Sequence, residues 1–194
     1  MVSAQEVDVN YGYQFGTKFS GKSDYLSIDA GKQLGISLGW LFSDNTVAQI
    51  TYNRHISNLL IKDQDVSPIE STLADFTSNW VMLNVMYYFV DGNITPFIGG
   101  GGGYAFVSFE NENTDVAGGE INSVARIACS LKGGITFWVT NNLGFKLQGD
   151  LFIPFNGFNL EAIFEEDNDG LKSAENLRFI SPYAGLNAGV VIRI

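Results

Sequence analysis

The sequence predicts an all-β fold: a transmembrane antiparallel up-and-down β-barrel of about eight strands, with short periplasmic turns and long external loops. Three observations predict it. Apolar residues recur at every second position along much of the chain, the signature of strands with two unlike faces. The composition is poor in charge, 16% against about 25% in average soluble domains, yet 45% apolar, 13% aromatic and rich in glycine. The connections between the alternating segments are short and long by turns. The 194 residues suit one domain, 1–194.

The first strand is the clearest. Val7, Val9, Tyr11, Tyr13 and Phe15 alternate with Asp8, Asn10, Gly12, Gln14 and Gly16. In the second, Leu34, Ile36, Leu38, Trp40 and Phe42 oppose Gln33, Gly35, Ser37 and Gly39. After the turn residues Ser43-Asp44-Asn45, a third strand runs from about Thr46 to His55. The fourth, about Asn79 to Val90, is bulky on both faces, with Val81, Leu83, Val85, Tyr87 and Phe89 on one and Trp80, Met82, Asn84, Met86 and Tyr88 on the other. Asp91-Gly92-Asn93 turns the chain into a fifth strand, Phe97 to Phe109, through the run Gly99 to Gly103. Glycine at that density removes side chains from a crowded or bending sheet. It is not a phosphate loop, because no Gly-Lys-Ser/Thr follows and no helix opens after it.

The sixth strand, about Ser123 to Val139, sets Ala125, Ile127, Cys129, Leu131, Ile135 and Phe137 against Arg126, Ser130, Lys132 and Thr136. Cys129, the one cysteine, sits in the apolar row as a small packed hydrophobe and allows no internal disulfide. Thr140-Asn141-Asn142 turns into the seventh strand, where Leu143, Phe145, Leu147, Leu151 and Ile153 oppose Lys146, Gln148 and Asp150. The eighth sets Ile180, Ala184, Leu186, Ala188, Val190, Ile192 and Ile194 against Tyr183, Asn187 and Arg193.

Alternation alone does not say which face is inside. The polar face carries both signs of charge and many glycines, which suits the narrow interior of an eight-stranded barrel, while uninterrupted apolar rows suit lipid. Asp8 and Asp150 are expected to pair with Arg126, Lys132, Lys146 and Arg193 in an interior charge network that plugs the lumen. Links near 43–45, 91–95 and 139–142 are tight; those near 17–32, 56–78, 110–122 and 156–178 are long and polar. Both termini are then expected on the periplasmic side. Aromatics gather towards strand ends, as at Tyr13 and Phe15, Trp40 and Phe42, Tyr87 and Phe89, where a membrane–water interface would hold them. Ser3-Ala4-Gln5 reads as the remnant of a removed secretory signal.

The stretch Thr95-Pro96-Phe97-Ile98-Gly99-Gly100-Gly101-Gly102-Gly103-Tyr104-Ala105 resembles the Pro-aromatic-x-Gly-x-Gly strand of small OmpA-, OmpX- and OmpW-like barrels. Leu131-Lys132-Gly133-Gly134-Ile135-Thr136-Phe137, followed by Thr140-Asn141-Asn142-Leu143, is similar to that family's next hairpin. The resemblance implies a bacterial outer-membrane location. The last strand departs from it, ending Ile192-Arg193-Ile194 where many such barrels carry a terminal aromatic.

A net charge of −10 excludes nucleic acid, whose phosphates would be repelled. The expected surroundings are outer-membrane lipid and lipopolysaccharide, with another outer-membrane protein or an extracellular ligand as further partners. Three function classes follow. The first is a non-enzymatic barrel with a structural, adhesive or partner-binding role through acidic external loops: Asp63, Asp65, Glu70 and Asp75 in one, Glu110, Glu112, Asp115 and Glu120 in another, Glu165, Glu166, Asp167, Asp169 and Glu175 in the last. The second is a narrow channel for small or apolar solutes. The third rests on His55-Ile56-Ser57-Asn58, which resembles the His-x-Ser-Asn motif of outer-membrane lipid A deacylases; the resemblance implies that His55 activates Ser57, with Glu70 orienting the histidine. No cofactor is expected. Asp167-Asn168-Asp169-Gly170 resembles part of a calcium loop, which makes Asp167 and Asp169 metal candidates, but Asn176 stands where the terminal bidentate glutamate belongs.

Overall fold

The computed structural model describes residues 5–20, 25–63, 67–89, 92–110, 124–155, 158–159, 178–179 and 182–194. Every regular element among them is a β-strand. In chain order they are β1 (Gln5–Gln14), β2 (Thr17–Ser20), β3 (Tyr25–Ile28), β4 (Gly31–Ser43), β5 (Thr46–Asp63), β6 (Ser67–Tyr88), β7 (Ile94–Glu110), β8 (Val124–Trp138), β9 (Leu143–Pro154), β10 (Phe158–Asn159), β11 (Arg178–Phe179) and β12 (Tyr183–Arg193). Eight of them, β1, β4, β5, β6, β7, β8, β9 and β12, pair antiparallel with their chain neighbours, and β12 pairs with β1 to close a barrel. Closure leaves no barrel edge, the condition a sheet must meet in lipid.

The register fixes the barrel's shape. Gln5 pairs with Trp40, then the ladder passes through Ala48, Val85, Gly100, Leu131, Leu151 and Ala184. Ala184 accepts a hydrogen bond from the backbone N–H of Phe15, so one circuit ends ten residues beyond its start on β1. With strands about 4.8 Å apart and about 3.3 Å of rise per residue, that stagger tilts them by about 40°.

The faces are inverted relative to a water-soluble protein. Among the described residues, thirty-four large hydrophobic side chains are at least 37% exposed, Leu83 at 66% and Val85 at 58% among them. Asp8, Asn53, His55 and Lys146 are each 1% exposed. A continuous apolar skin of this size is far beyond the few-hundred-Å² patches that water tolerates, and it is built to face lipid.

The fourth predicted strand, bulky on both faces, and the glycine run explain each other. Trp80, Met82, Asn84, Met86 and Tyr88 point inward from β6, and the paired positions on β7 include Gly103, Gly101 and Gly99. A Cβ at Gly101 would overlap the Leu83 carbonyl oxygen, and one at Gly99 would overlap Met86 Sδ. The large row fits inside the barrel because its neighbour has no side chains there.

Two connections differ from expectation. The segment 56–78, expected to be a polar loop, is mainly the continuation of β5 and β6, which pair on to Asp63 and Ser67. Polarity there reports water around the strands rather than loss of strand. The connection 17–32 holds β2 and β3, and β3 pairs with the upper part of β5 through Tyr25–Lys62 to Ile28–Leu59. The end of the barrel with the long connections thus carries a sheet, in the order β2, β3, β5, β6, β7, that rises beyond the barrel wall.

Candidate functional site

The lumen holds most of the residues singled out from the sequence, and it is filled at three levels. At the turn end, Lys146 Nζ forms an ion pair with Asp8 Oδ2, and Asn10 Nδ2 donates to the other oxygen at 3.1 Å. Lys146 also lies 5.0 Å from the Phe97 ring centre. Tyr88 Oη donates to Glu6 Oε1 at 2.9 Å, and Arg193 Nε stands 3.8 Å from Glu6 Oε2. The Arg193 guanidinium covers the Trp138 ring at 3.9 Å. Val47, Met86, Tyr88 and Phe97 pack into one buried cluster at this end.

The middle level is a polar network. Thr51 Oγ1 accepts from Lys132 Nζ at 3.1 Å and from Asn84 Nδ2 at 3.0 Å, and meets Ser37 Oγ at 3.1 Å. Ser130 Oγ donates to Asn84 Oδ1 at 2.6 Å. Asp150 accepts three amide donors: Gln33 at 3.0 Å, Gln148 at 2.7 Å and Asn187 at 2.5 Å. Hydrogen bonds of this kind are what make buried polar groups tolerable in the interior.

The loop end is closed by rings. Trp80 packs at 5.0 Å from Phe152 and 5.6 Å from Tyr183, and Tyr183 stacks on Phe76 at 6.5 Å. All four side chains are at most 2% exposed. His55 meets Phe76 edge-on at 5.9 Å.

The expected charge pairing is therefore redistributed. Of the candidate cations, Lys146 meets Asp8 as a salt bridge, Lys132 binds a threonine hydroxyl, and Arg193 belongs with Glu6. Asp150 takes its hydrogen bonds from amides and lies opposite Lys132 in the β8–β9 register without a close ion-pair contact. Arg126 stands on the inward row of β8 near the end with the long connections, partly exposed, and donates to the Ala125 carbonyl at 3.2 Å. Glu6 lies one residue before the alternation that begins at Val7, and by the same parity it stands on the inward row with Asp8.

His55 and Ser57 follow each other on the inward row of β5, both buried. Ser57 Oγ donates to the Asp29 carbonyl, so its proton is not aimed at His55. Both ring nitrogens of His55 lack a hydrogen-bond partner among the described residues. Position 70 lies eight residues along β6 from Ser78, the pair of His55, or about 25 Å of strand. The Glu70 side chain is outside the described residues, as are Asp167 and Asp169 of the candidate calcium loop. Among the described residues no three His, Cys, Asp or Glu side chains gather as metal ligands would.

No family model and no curated protein matches the sequence. Solved structures do match in shape. The Pseudomonas aeruginosa outer membrane protein OprG superposes with a TM-score of 0.67 at 13% identity, over 100% of this chain and 96% of that one. Neisserial surface protein A matches with a TM-score of 0.64 at 14% identity, over 97% and 96%. This chain has the fold of the small outer-membrane β-barrels. Ail, the attachment invasion locus protein of Yersinia pestis, solved with the heparin analogue sucrose octasulfate, shares it with a TM-score of 0.58 at 10% identity over the whole of both chains. At these identities the likeness speaks for the fold alone.

Proposed function

We propose that this chain is an integral protein of the bacterial outer membrane, with both termini periplasmic, that does no chemistry of its own and presents its acidic external surface to a partner. The observation that carries this is the filled lumen. Ion pairs, a hydrogen-bonded network and a ring cluster occupy the interior from one end to the other, which argues against a solute path. His55, enclosed in the ring-lined end without a bond to Ser57, is poorly placed to act on a lipid ester.

Function then falls to what stands above the membrane. The four long connections, 17–32, 56–78, 110–122 and 156–178, carry 16 of the 21 acidic residues against six of the 11 basic ones, so the chain's net charge of −10 is concentrated on the outside. The sheet of β2, β3, β5, β6 and β7 gives part of that surface a rigid base. A partner with a basic face, protein or ligand, has the complementary charge, and its association would be steered by the field and weakened by salt.

Cross-linking in native outer membranes, followed by mass spectrometry, tests this. A companion cross-linked through the external connections, and lost when the acids of 110–120 and 161–175 are changed to their amides, is the expected result. A steady single-channel conductance of the purified barrel, or acyl release that disappears in His55→Ala, would overturn the proposal.

A further inference from the structure

Among the described residues, the lipid-facing surface carries two cations that stand together. Among the described barrel side chains, Lys132, Lys146, Arg126 and Arg193 belong to inward rows. Lys32 and Arg54 are exposed and belong to outward rows, on β4 and β5. The register sets Leu34 opposite Arg54 and Lys32 opposite Ile56, which makes Lys32 and Arg54 diagonal neighbours on one face, about 7 Å apart at their bases. Neither forms an ion pair with a described carboxylate.

Their height is that of the outer membrane–water boundary. Towards the turn end, Lys32 is followed on its outward row by Leu34, Ile36 and Leu38, and Arg54 by Tyr52 and Ile50, all at least 39% exposed to lipid. Lys32 pairs across β1 with Tyr13, whose ring meets Phe15 edge-on at 6.3 Å in the outer aromatic row. Arg54 pairs across β6 with Asn79, whose Oδ1 accepts from Tyr52 Oη at 2.7 Å, leaving the Asn79 amide nitrogen as a donor beside the guanidinium. A guanidinium fork, an ammonium and an amide N–H on one small patch match a phosphate group.

We infer that Lys32 and Arg54, with Asn79, form a binding site for the phosphate-bearing headgroup of an outer-leaflet glycolipid whose acyl chains lie against the apolar rows below. The occupant is a lipid because the patch is continuous with the apolar skin and opens sideways into the bilayer. The acidic connections above would push anionic headgroups away, so an anion is held here only by local contacts that outweigh them. Lysine and arginine at this depth cost little, whereas deeper in hydrocarbon they would be expensive. Headgroup binding is thus the role that the position allows and the two unpaired charges favour.

The test uses the full chain, purified in neutral detergent, with hexa-acylated bisphosphorylated lipid A as the probe and native mass spectrometry as the count of bound lipid. Heat-modifiable mobility on a gel checks folding of each variant. Wild type is expected to retain lipid A, with about tenfold weaker retention in Lys32→Ser and again in Arg54→Ser. Arg54→Lys and Lys32→Arg should recover most of it. Because both side chains are exposed, the variants are expected to fold; if one does not, the same count on Asn79→Leu replaces it. Equal retention of dephosphorylated lipid A, or unchanged retention by the folded double variant, overturns the inference. Displacement of the lipid by a large excess of inorganic phosphate overturns the commitment to a lipid and makes the patch a site for free phosphate.

Discussion

Replacing Lys146 with methionine keeps the length of the side chain and removes its charge. Lys146 is 1% exposed, and its ammonium faces Asp8, itself 1% exposed. Without it, Asp8 keeps Asn10 as its hydrogen-bond donor among the described residues, at 3.1 Å. Removing one partner of a buried pair leaves the other charge stranded, at a cost of about 3–5 kcal/mol. The lost contact of Lys146 with the Phe97 ring adds about 0.5–1 kcal/mol. Taking a urea m-value of about 2 kcal/mol/M, the midpoint should fall by about 2 M. Urea unfolding of the barrel in lipid vesicles, followed by the fluorescence of Trp40, Trp80 and Trp138, measures this. The double variant Lys146→Met, Asp8→Leu should regain most of the loss, because an apolar pair no longer strands a charge. A shift under about 0.5 M in the single variant, or a double variant as unstable as the sum of the two singles, would refute the placement of this pair as a buried and mutually dependent one.

Inward and outward glycines of β7 should part company. Gly101→Ala, whose Cβ meets the Leu83 carbonyl and the Asn84 backbone, should cost about 3 kcal/mol or block folding, while Gly102→Ala, whose nearest neighbour is the Ala128 carbonyl at 3.7 Å, should stay within about 0.5 kcal/mol; vesicle unfolding midpoints decide. Trp80→Ala should destabilise by about 3–5 kcal/mol, because the ring packs between Phe152 and Tyr183; the same midpoints read it. In planar bilayers the wild type should show no steady conductance, since the lumen is occupied at both ends and in the middle. His55→Ala should strand no hydrogen-bonding partner among the described residues and cost only the cavity left beside Phe76, about 1–2 kcal/mol, with an unchanged lipid acylation profile by mass spectrometry.

Much of the architecture was legible in particular residues. Tyr11 and Leu147 read as lipid-facing from their rows, and both are more than half exposed; Asn10 and Gln148 read as interior, and both are buried. The extent of β5 and β6 was not legible, because Ser71, Thr72 and Thr77 suit a polar loop and a strand in water equally well. The site was harder still. The inward parity of Asp150 was visible, but its three amide donors come from β4, β9 and β12, and no spacing in the chain announces that meeting.

The two faces of each strand, the alternation of tight and long connections, and the need for closure are all written in the order of the residues, because side-chain direction in a strand depends only on parity and lipid admits no open edge. Which inward groups meet depends on the closed fold. Lys146 finds Asp8 across 138 positions of chain, through the closing pairs of β9 with β12 and β12 with β1. The same closure makes the ten-residue stagger that sets which side chains share a level. Parity is a local property of the backbone, whereas level and partnership are set by the circuit of all eight strands.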